Sequence, residues 1–312
     1  MQWKILLTDG LAAISDEALL AKVDLVDKKG ISPEELLEVI GDYDALIVRG
    51  RTKVTEEVFA AGKNLKIVGR MGVGVDNIDL QAAKAHGVAV VNAPVATTVS
   101  VAELTLGLML SLIRGIPKAD AGLKAGQWLK KELVGTELYQ KTLGVIGYGH
   151  IGEAVAKRAL AFDLKVIAYD PVRPAAEIQA TGASPVDLDA LLAQADLITL
   201  HIPHIPATHY LLNAEAFAKM KPGVRIICAA RGGVIEEAAL LDALNSGKVA
   251  GAALDVYETE PPGDSPLAKH PLVVGTPHIG AQTAEAQLRA GHDIVSEVVA
   301  GLDKEPLRWR VA

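Results

Sequence analysis

The stretch VIGYGHIG, residues 145–152, decides the fold. Its glycines, Gly147, Gly149 and Gly152, stand in G-x-G-x-x-G spacing directly after a run of β-formers, TLGVI (142–146). Glycine triplets also occur as plain turns, so the neighbours carry the reading. EAVAKRALAF (153–162) follows as an amphipathic helix, and the next strand, KVIAY (165–169), runs into Asp170, eighteen residues after Gly152. Strand, glycine loop, helix and acidic strand end together form the dinucleotide-binding arrangement. Gly147 permits the tight turn, Gly149 lets the backbone approach a pyrophosphate, and Gly152 allows close helix–strand packing. The helix N-terminus offers free N–H groups and a positive dipole end to phosphates. Asp170 can accept both adenosine ribose hydroxyls and would repel a 2′-phosphate. NAD is therefore expected over NADP, with nearby Arg173 as the opposing feature.

Around this loop, short β-branched runs alternate with helical patterns, the signature of parallel sheets with crossover helices. KILL (4–7), ALIV (45–48), LKIVG (65–69) and AVVN (89–92) read as strands of a first series. SPEELLEVI (32–40) and DLQAAKAHG (79–87) read as helices between them, the first with a serine cap and a proline at its first position. The second series continues with LITLH (197–201), VRIICAA (224–230), GAALDV (251–256) and LVVGTP (272–277). TAEAQLRAGHDIVSEVVAG (283–301) is a closing helix outside that series, expected to return to the first domain.

Length and composition agree with this. A chain of 312 residues favours two domains. The net charge of −7 argues against a nucleic-acid binder. The single cysteine, Cys228, excludes an internal disulfide framework and reads as a core residue in an apolar strand. The start MQWKILLTDG lacks a signal-peptide layout. VSVAELTLGLMLSLI (99–113) is too short to span a bilayer and reads as a helix buried in the protein or at a subunit contact. A cytoplasmic protein is expected, with no membrane partner.

In doubly wound sheets, ligands bind beyond the carboxyl ends of the strands. Those ends in the second series carry His201, Arg231, Asp255 and His278, with Glu260 in the loop DVYETEPP. A hydride transfer between an alcohol and a nicotinamide needs a base for the hydroxyl proton and a cation for a carboxylate. A carboxylate that tunes the base usually completes the set. His278 suits the first role, Arg231 the second and Glu260 the third. Each alone has an ordinary structural reading, as an ion pair or a satisfied core histidine. Their convergence beside a cofactor loop favours chemistry. His201 and His204 form H-x-x-H without further ligands, so no metal site is expected. Arg49 and Arg51 follow the strand ALIV and could bind a phosphate at a substrate's far end, although surface arginines are common.

Taken together, RGRTKVT (49–55), LKIVGRMGVGVDNIDL (65–80), VGTELYQKTLGVIGYGHIG (134–152), AARGGVIEEAALLDAL, AGAALDVYETEPP and TPHIGAQT carry a resemblance. Over essentially its full length the chain resembles the D-isomer-specific 2-hydroxyacid dehydrogenases. The resemblance implies an α/β fold of two doubly wound parallel-sheet domains: a flavodoxin-like split substrate domain and a Rossmann NAD-binding domain. Its boundaries would be 1–98, 99–283 and 284–312. It implies Arg231, Glu260 and His278 as the catalytic set. His150 and Ile151 would lie on the pyrophosphate of NAD and Asp255 on its nicotinamide side. Val73, Ile202, Pro203, Ala229, Ala230, Gly280 and Ala281 would also line the cofactor. Met71, Gly72, Val73 and Gly74 would cradle the substrate carboxylate through backbone N–H groups. A homodimer through the NAD domain near residues 100–140 is implied, acting on a small 2-hydroxy acid or 2-keto acid. The nearest competing expectation is a reductase for hydroxypyruvate, glyoxylate or another 2-keto acid. A more distant one is a non-enzymatic, NAD-dependent corepressor or scaffold on the same fold, which the complete Arg–Glu–His set disfavours.

Overall fold

The computed structural model describes residues 2–11 and 16–312. The chain forms two compact units, residues 1–97 with 281–312, and residues 98–280.

Unit 1 holds strands β1 (Trp3–Leu7), β2 (Val23–Asp27), β3 (Ala45–Val48), β4 (Ile67–Arg70) and β5 (Ala89–Asn92). Its helices are α1 (Glu17–Leu20), α2 (Pro33–Val39), α3 (Glu56–Ala61), α4 (Leu80–Ala85) and the closing helix Ala284–Leu302. The sheet is parallel in the order β2-β1-β3-β4-β5, the flavodoxin-like arrangement. Alternate strand residues feed two cores. Leu6, Leu46, Val68 and Val90 join Leu36, Phe59 and Ala83 on one face. Ile5, Ile47, Ile67 and Val91 join Ile294 and Val298 of the closing helix on the other. Gly69 lets that helix approach, since a Cβ there would come 2.7 Å from Val298 Cγ2. The helices start where the sequence says: Ser32 and Glu35 form a capping box, and Asp79 and Thr283 cap α4 and the closing helix. The pattern of strands read from the sequence lacks β2, an edge strand whose Asp24 and Asp27 break its apolar run.

Unit 2 opens with α5 (Thr98–Arg114) and α6 (Ile116–Lys124). Its strands are β6 (Thr142–Ile146), β7 (Lys165–Tyr169), β8 (Ser184–Pro185), β9 (Leu197–Leu200), β10 (Val224–Cys228), β11 (Val249–Leu254) and β12 (Val273–Gly275). Between them lie α7 (His150–Ala161), α8 (Ala175–Ala180), α9 (Leu188–Gln194), α10 (Ala214–Lys219) and α11 (Glu237–Asn245). The sheet is wholly parallel, ordered β12-β11-β10-β9-β6-β7-β8. From β6 the chain winds outward both ways, so the switch point lies between β6 and β9. Both faces are covered: α5 and α7 pack with Leu143, Val145 and Ile227, while Ile146, Ile198 and Ile226 face the other layer. Among the described residues no single helix is long and apolar enough to cross a membrane.

Candidate active site

The carboxyl ends of the unit 2 strands bring the candidate residues into one row. Neighbouring strands lie about 4.8 Å apart. Along the sheet the row runs from His278 after β12, through Asp255 after β11, Arg231 after β10 and Ile202 after β9, to Gly147 after β6 and Asp170 after β7.

At the nucleotide end, Gly147 has φ +88°, and a Cβ there would come 2.5 Å from the His201 carbonyl oxygen. A Cβ on Gly152 would collide with the Gly147 carbonyl oxygen. Gly149 caps α7 and has open space where its Cβ would stand. His150 and Ile151 open the helix with their N–H groups at its free end. This cradle fits a pyrophosphate. Asp170 Oδ2 accepts the Tyr148 N–H at 2.7 Å, and Oδ1 accepts those of Val172 and Arg173 at 2.8 and 3.0 Å. Burial would raise the Asp170 pKa, but these backbone bonds from Arg173, Tyr148 and Val172 outweigh it and hold the carboxyl below its ordinary range. A carboxylate offers about four lone-pair sites, so Asp170 holds the glycine loop and keeps one acceptor site, on Oδ2. The expectation of two ribose bonds narrows accordingly. Arg173 is occupied: its Nη1 donates to Glu153 at 2.6 Å and to the Tyr148 carbonyl at 2.9 Å. Its opposing influence on cofactor choice is thereby removed.

At the other end, His278 Nδ1 meets Glu260 Oε2 at 2.7 Å. An ionised carboxylate only accepts, which assigns the ring proton to Nδ1 and leaves a lone pair on Nε2. The Tyr257 N–H fixes the second Glu260 oxygen at 3.2 Å. His278 has φ +54°, in the left-handed region that a non-glycine residue rarely adopts. Asp255 supports this turn. It is 1 % exposed and accepts Thr276 Oγ1 at 2.6 Å and the N–H groups of Ile279 and Gly280, each at 2.8 Å. Asp255 is thus a buried strut of the loop that carries His278. Thr276 and Tyr257, absent from the sequence reading, complete that support; the signal for both was adjacency to a strand end. Arg231 is half-buried, with Nη1 donating to the Ala230 carbonyl at 2.7 Å. Pro203 is exposed, Ile202 and Ala229 are half-buried, and Ala230 is buried.

Three further side chains, His201, His204 and Cys228, have structural surroundings. His201 bonds Thr199 at 3.0 Å through Nε2, and burial pushes its pKa down to about 3. His204 instead meets His209 at 3.0 Å, so the H-x-x-H pair shares no ligand point. Burial pushes the Cys228 thiol up to about 11, far from a reactive thiolate.

The substrate candidates lie in unit 1, after β3 and β4. Here one expectation fails. Arg51 gives Nε to Asp9 at 2.9 Å, Nη1 to the Ile31 carbonyl at 3.0 Å, and Nη2 to the Thr8 carbonyl at 2.7 Å and Thr52 at 3.3 Å. With four of its five N–H groups engaged, Arg51 braces the loops and is not the phosphate ligand expected. Arg49 differs: its half-buried guanidinium makes no hydrogen bond to another described residue, and burial lowers its pKa. Its backbone is locked by Asp9 and Asn77, at 2.7 and 2.8 Å. The Met71 N–H is likewise taken, by the Val48 carbonyl at 2.9 Å, and its side chain is buried. That leaves the N–H groups of Gly72, Val73 and Gly74 as the candidates for the expected cradle, with Asn92 holding the Val73 carbonyl at 2.6 Å. Ala281 also falls in unit 1.

Residues 106–280 match the D-isomer specific 2-hydroxyacid dehydrogenase, NAD binding domain, family. The chain is 48% identical over 301 residues to the hydroxypyruvate reductase of Thermotoga maritima, covering 95% of this chain and 97% of that one. The chain belongs to the D-isomer specific 2-hydroxyacid dehydrogenase family. Its cofactor is NAD, and the glycine loop and Asp170 are suited to hold it. Against the D-3-phosphoglycerate dehydrogenase of Methanocaldococcus jannaschii the identity is 49% over 310 residues, 99% of this chain. The chain spans only 58% of that relative's length. A crystal structure of a glyoxylate reductase from Paecilomyes thermophila superposes with a TM-score of 0.91 at 33% identity, covering 99% of this chain and 98% of that one.

Proposed function

We propose that this dehydrogenase oxidises D-3-phosphoglycerate at C2, giving 3-phosphohydroxypyruvate, the entry reaction of serine biosynthesis. The observation that carries the catalytic part is the 2.7 Å His278–Glu260 pair at the carboxyl edge of the sheet that holds the glycine loop. NAD, when bound, supplies the hydride acceptor. His278 Nε2 takes the hydroxyl proton, and Glu260 stabilises the imidazolium and fixes the ring's orientation. Arg231 holds the substrate carboxylate with its planar fork. Arg49 recognises the phosphate: its half-buried guanidinium makes no hydrogen bond among the described residues, and although the charge of Asp9 acts on it, burial still disfavours its charged form, so a further anion beside it is stabilising.

The second reading is a reductase for hydroxypyruvate or glyoxylate. Arg51 favours it, since only one arginine of the pair is open to a phosphate. The 48% identity to the hydroxypyruvate reductase of Thermotoga maritima supports it too. Comparing kcat/KM for 3-phosphoglycerate and glycerate separates the two. A clear preference for the phosphorylated acid, eroded by salt, supports the first; no preference supports the second.

The assembly is proposed to be a homodimer through unit 2. Val99, Ile116, Leu123, Trp128 and Val134 leave 44 to 89 % of their area exposed on one segment, more apolar surface than a monomer ordinarily shows there. Only monomer in light scattering at micromolar concentration would defeat this.

A further inference from the structure

Unit 1 carries a second concave surface, at the opposite end of its sheet from Arg49 and Gly72. It is a cavity of about 440 Å³, lined by Lys66, Ile67, Lys304, Glu305, Leu307 and Arg310 among others. Lys66 immediately precedes β4, so the cavity lies at the amino ends of the strands. Its volume is in the range of small-ligand sites.

The outer wall is the tail that follows the closing helix, and it is held rigidly. Arg310 bridges Val91 in antiparallel fashion, and the Val311 N–H donates to Val90 at 2.7 Å. Glu297, 1 % exposed, accepts Arg308 Nε at 2.7 Å and the backbone N–H groups of Arg308 and Trp309. Its lining mixes apolar Ile67 and Leu307 with Lys66, Lys304, Arg310 and Glu305.

Lys304 is the telling residue. The helix ends in a Schellman turn, with the Glu305 N–H on the Ala300 carbonyl at 2.8 Å and the Lys304 N–H on the Gly301 carbonyl at 3.2 Å. That puts Lys304 at φ +61°, the position where glycine is favoured. A lysine here accepts backbone strain, yet its ammonium pairs with no carboxylate among the described residues. Arg310 uses Nε on the Ala312 carbonyl oxygen at 2.8 Å, and its Nη groups make no hydrogen bond among the described residues. Lys66 is shared with Asp44 at 2.7 Å.

We infer that this cavity binds a small multivalent anion, phosphoryl or polycarboxylate, between Lys304, Arg310 and Lys66. The occupant ties the tail to the β4–β5 edge and stabilises unit 1. Charge-assisted hydrogen bonds supply the attraction, weakened by the open, solvated rim.

The test is calorimetric titration of the full chain with pyrophosphate and with citrate, in saturating NADH, at constant ionic strength. One pyrophosphate or citrate should bind at this cavity in each chain, and whichever binds tighter identifies the phosphoryl or the carboxylate class. Lys304→Ala with Arg310→Ala should weaken that binding at least tenfold, and Glu305→Gln should strengthen it, with turnover unchanged in both. Lys304→Gly removes charge and strain together, so it should be no less stable without anion and still bind more weakly. Anion binding unaltered in the Lys304 and Arg310 variants would overturn the proposal. So would a Lys304→Gly chain that is less stable without anion, because the lysine would then serve the helix end alone.

Discussion

The carboxyl-end loops of the two sheets use the same residue types for different ends. In unit 2, Glu260 bonds His278 and leaves Nε2 of that ring open, while Asp255 holds the loop from behind. In unit 1, Asp9 plays the part of Asp255, but the arginine beside it, Arg51, is consumed by the scaffold. Only Arg49 keeps an open guanidinium. The two buried carboxylates differ in what they add to their backbone bonds: Asp255 stops at a hydroxyl, whereas Asp9 also takes a neighbouring arginine. Asp255 takes two backbone N–H groups and one hydroxyl; Asp9 takes the Arg49 and Thr52 N–H groups, the Thr52 hydroxyl and Arg51 itself.

The largest way to break this contrast is His278→Ala. It should lower kcat by at least ~10²-fold, the usual scale of general acid–base catalysis, with NAD affinity little changed. Steady-state kinetics with NAD titration checks it; wild-type turnover would remove His278 from the mechanism and the contrast with it.

Next is the arginine pair, where the two substitutions should part company. Arg49→Ala should cost about 1.5–3 kcal/mol in kcat/KM for the phosphorylated substrate, the scale for hydrogen bonds to charged groups. The loss with glycerate should be small. Arg51→Ala should instead lower the melting temperature, since it strands Asp9 and the Thr8 and Ile31 carbonyls. If Arg51→Ala loses phosphate selectivity at full thermal stability, the assignment of the two arginines is reversed.

How far the sequence could be read follows the same line. Gly147 and Gly152 were legible because their demand is local: a positive φ in one case, contact with the next turn of chain in the other. The strand-end row of Arg231, Asp255 and His278 was legible because a parallel sheet orders its carboxyl ends. Arg51 was not, because its acceptors come from three separate loops, at Thr8, Asp9 and Ile31. The Met71 N–H was hidden for the same reason, as its partner is Val48 on the adjacent strand. Asp255 was legible as a strand-end carboxylate, but its inward orientation depends on Thr276 and on the Ile279–Gly280 turn.

Asp170→Ala sharpens the comparison at the nucleotide end. It removes an acceptor site, a repelling charge and the bond to the Tyr148 N–H together. NAD affinity should fall about tenfold, in line with one charged hydrogen bond, and the NAD/NADP ratio of kcat/KM should narrow. Because Arg173 stays paired with Glu153, the variant should not gain real affinity for NADP. An unchanged cofactor ratio would move discrimination elsewhere.

The smallest effect separates two histidines on one sheet edge. His278 is half exposed beside a carboxylate, whereas the Nδ1 of His201 is sealed from solvent without a partner and its Nε2 bonds Thr199. Although part of the His201 residue reaches the surface, the sealed nitrogen is the one that protonation must charge. Burial therefore lowers its folded pKa to about 3, below the ordinary 6.5 that it recovers on unfolding. Between those values the unfolded chain binds the extra proton, so stability falls as pH drops through 6.5 and is fully present above it. From pH 7.5 to pH 5.5 this one group should cost unit 2 about 1 kcal/mol, since one pH unit below the unfolded pKa corresponds to about 1.4 kcal/mol. His201→Gln keeps a donor for Thr199 but cannot titrate, so its stability should decline less over that interval. Carboxylates contribute equally to both chains and cancel in the difference. Proton NMR of the imidazole rings gives the direct check, with His201 silent above pH 5. A His201 resonance moving near pH 6.5, or equal slopes for the two chains, would show that the ring is solvated and that the loop around Gly147 is open.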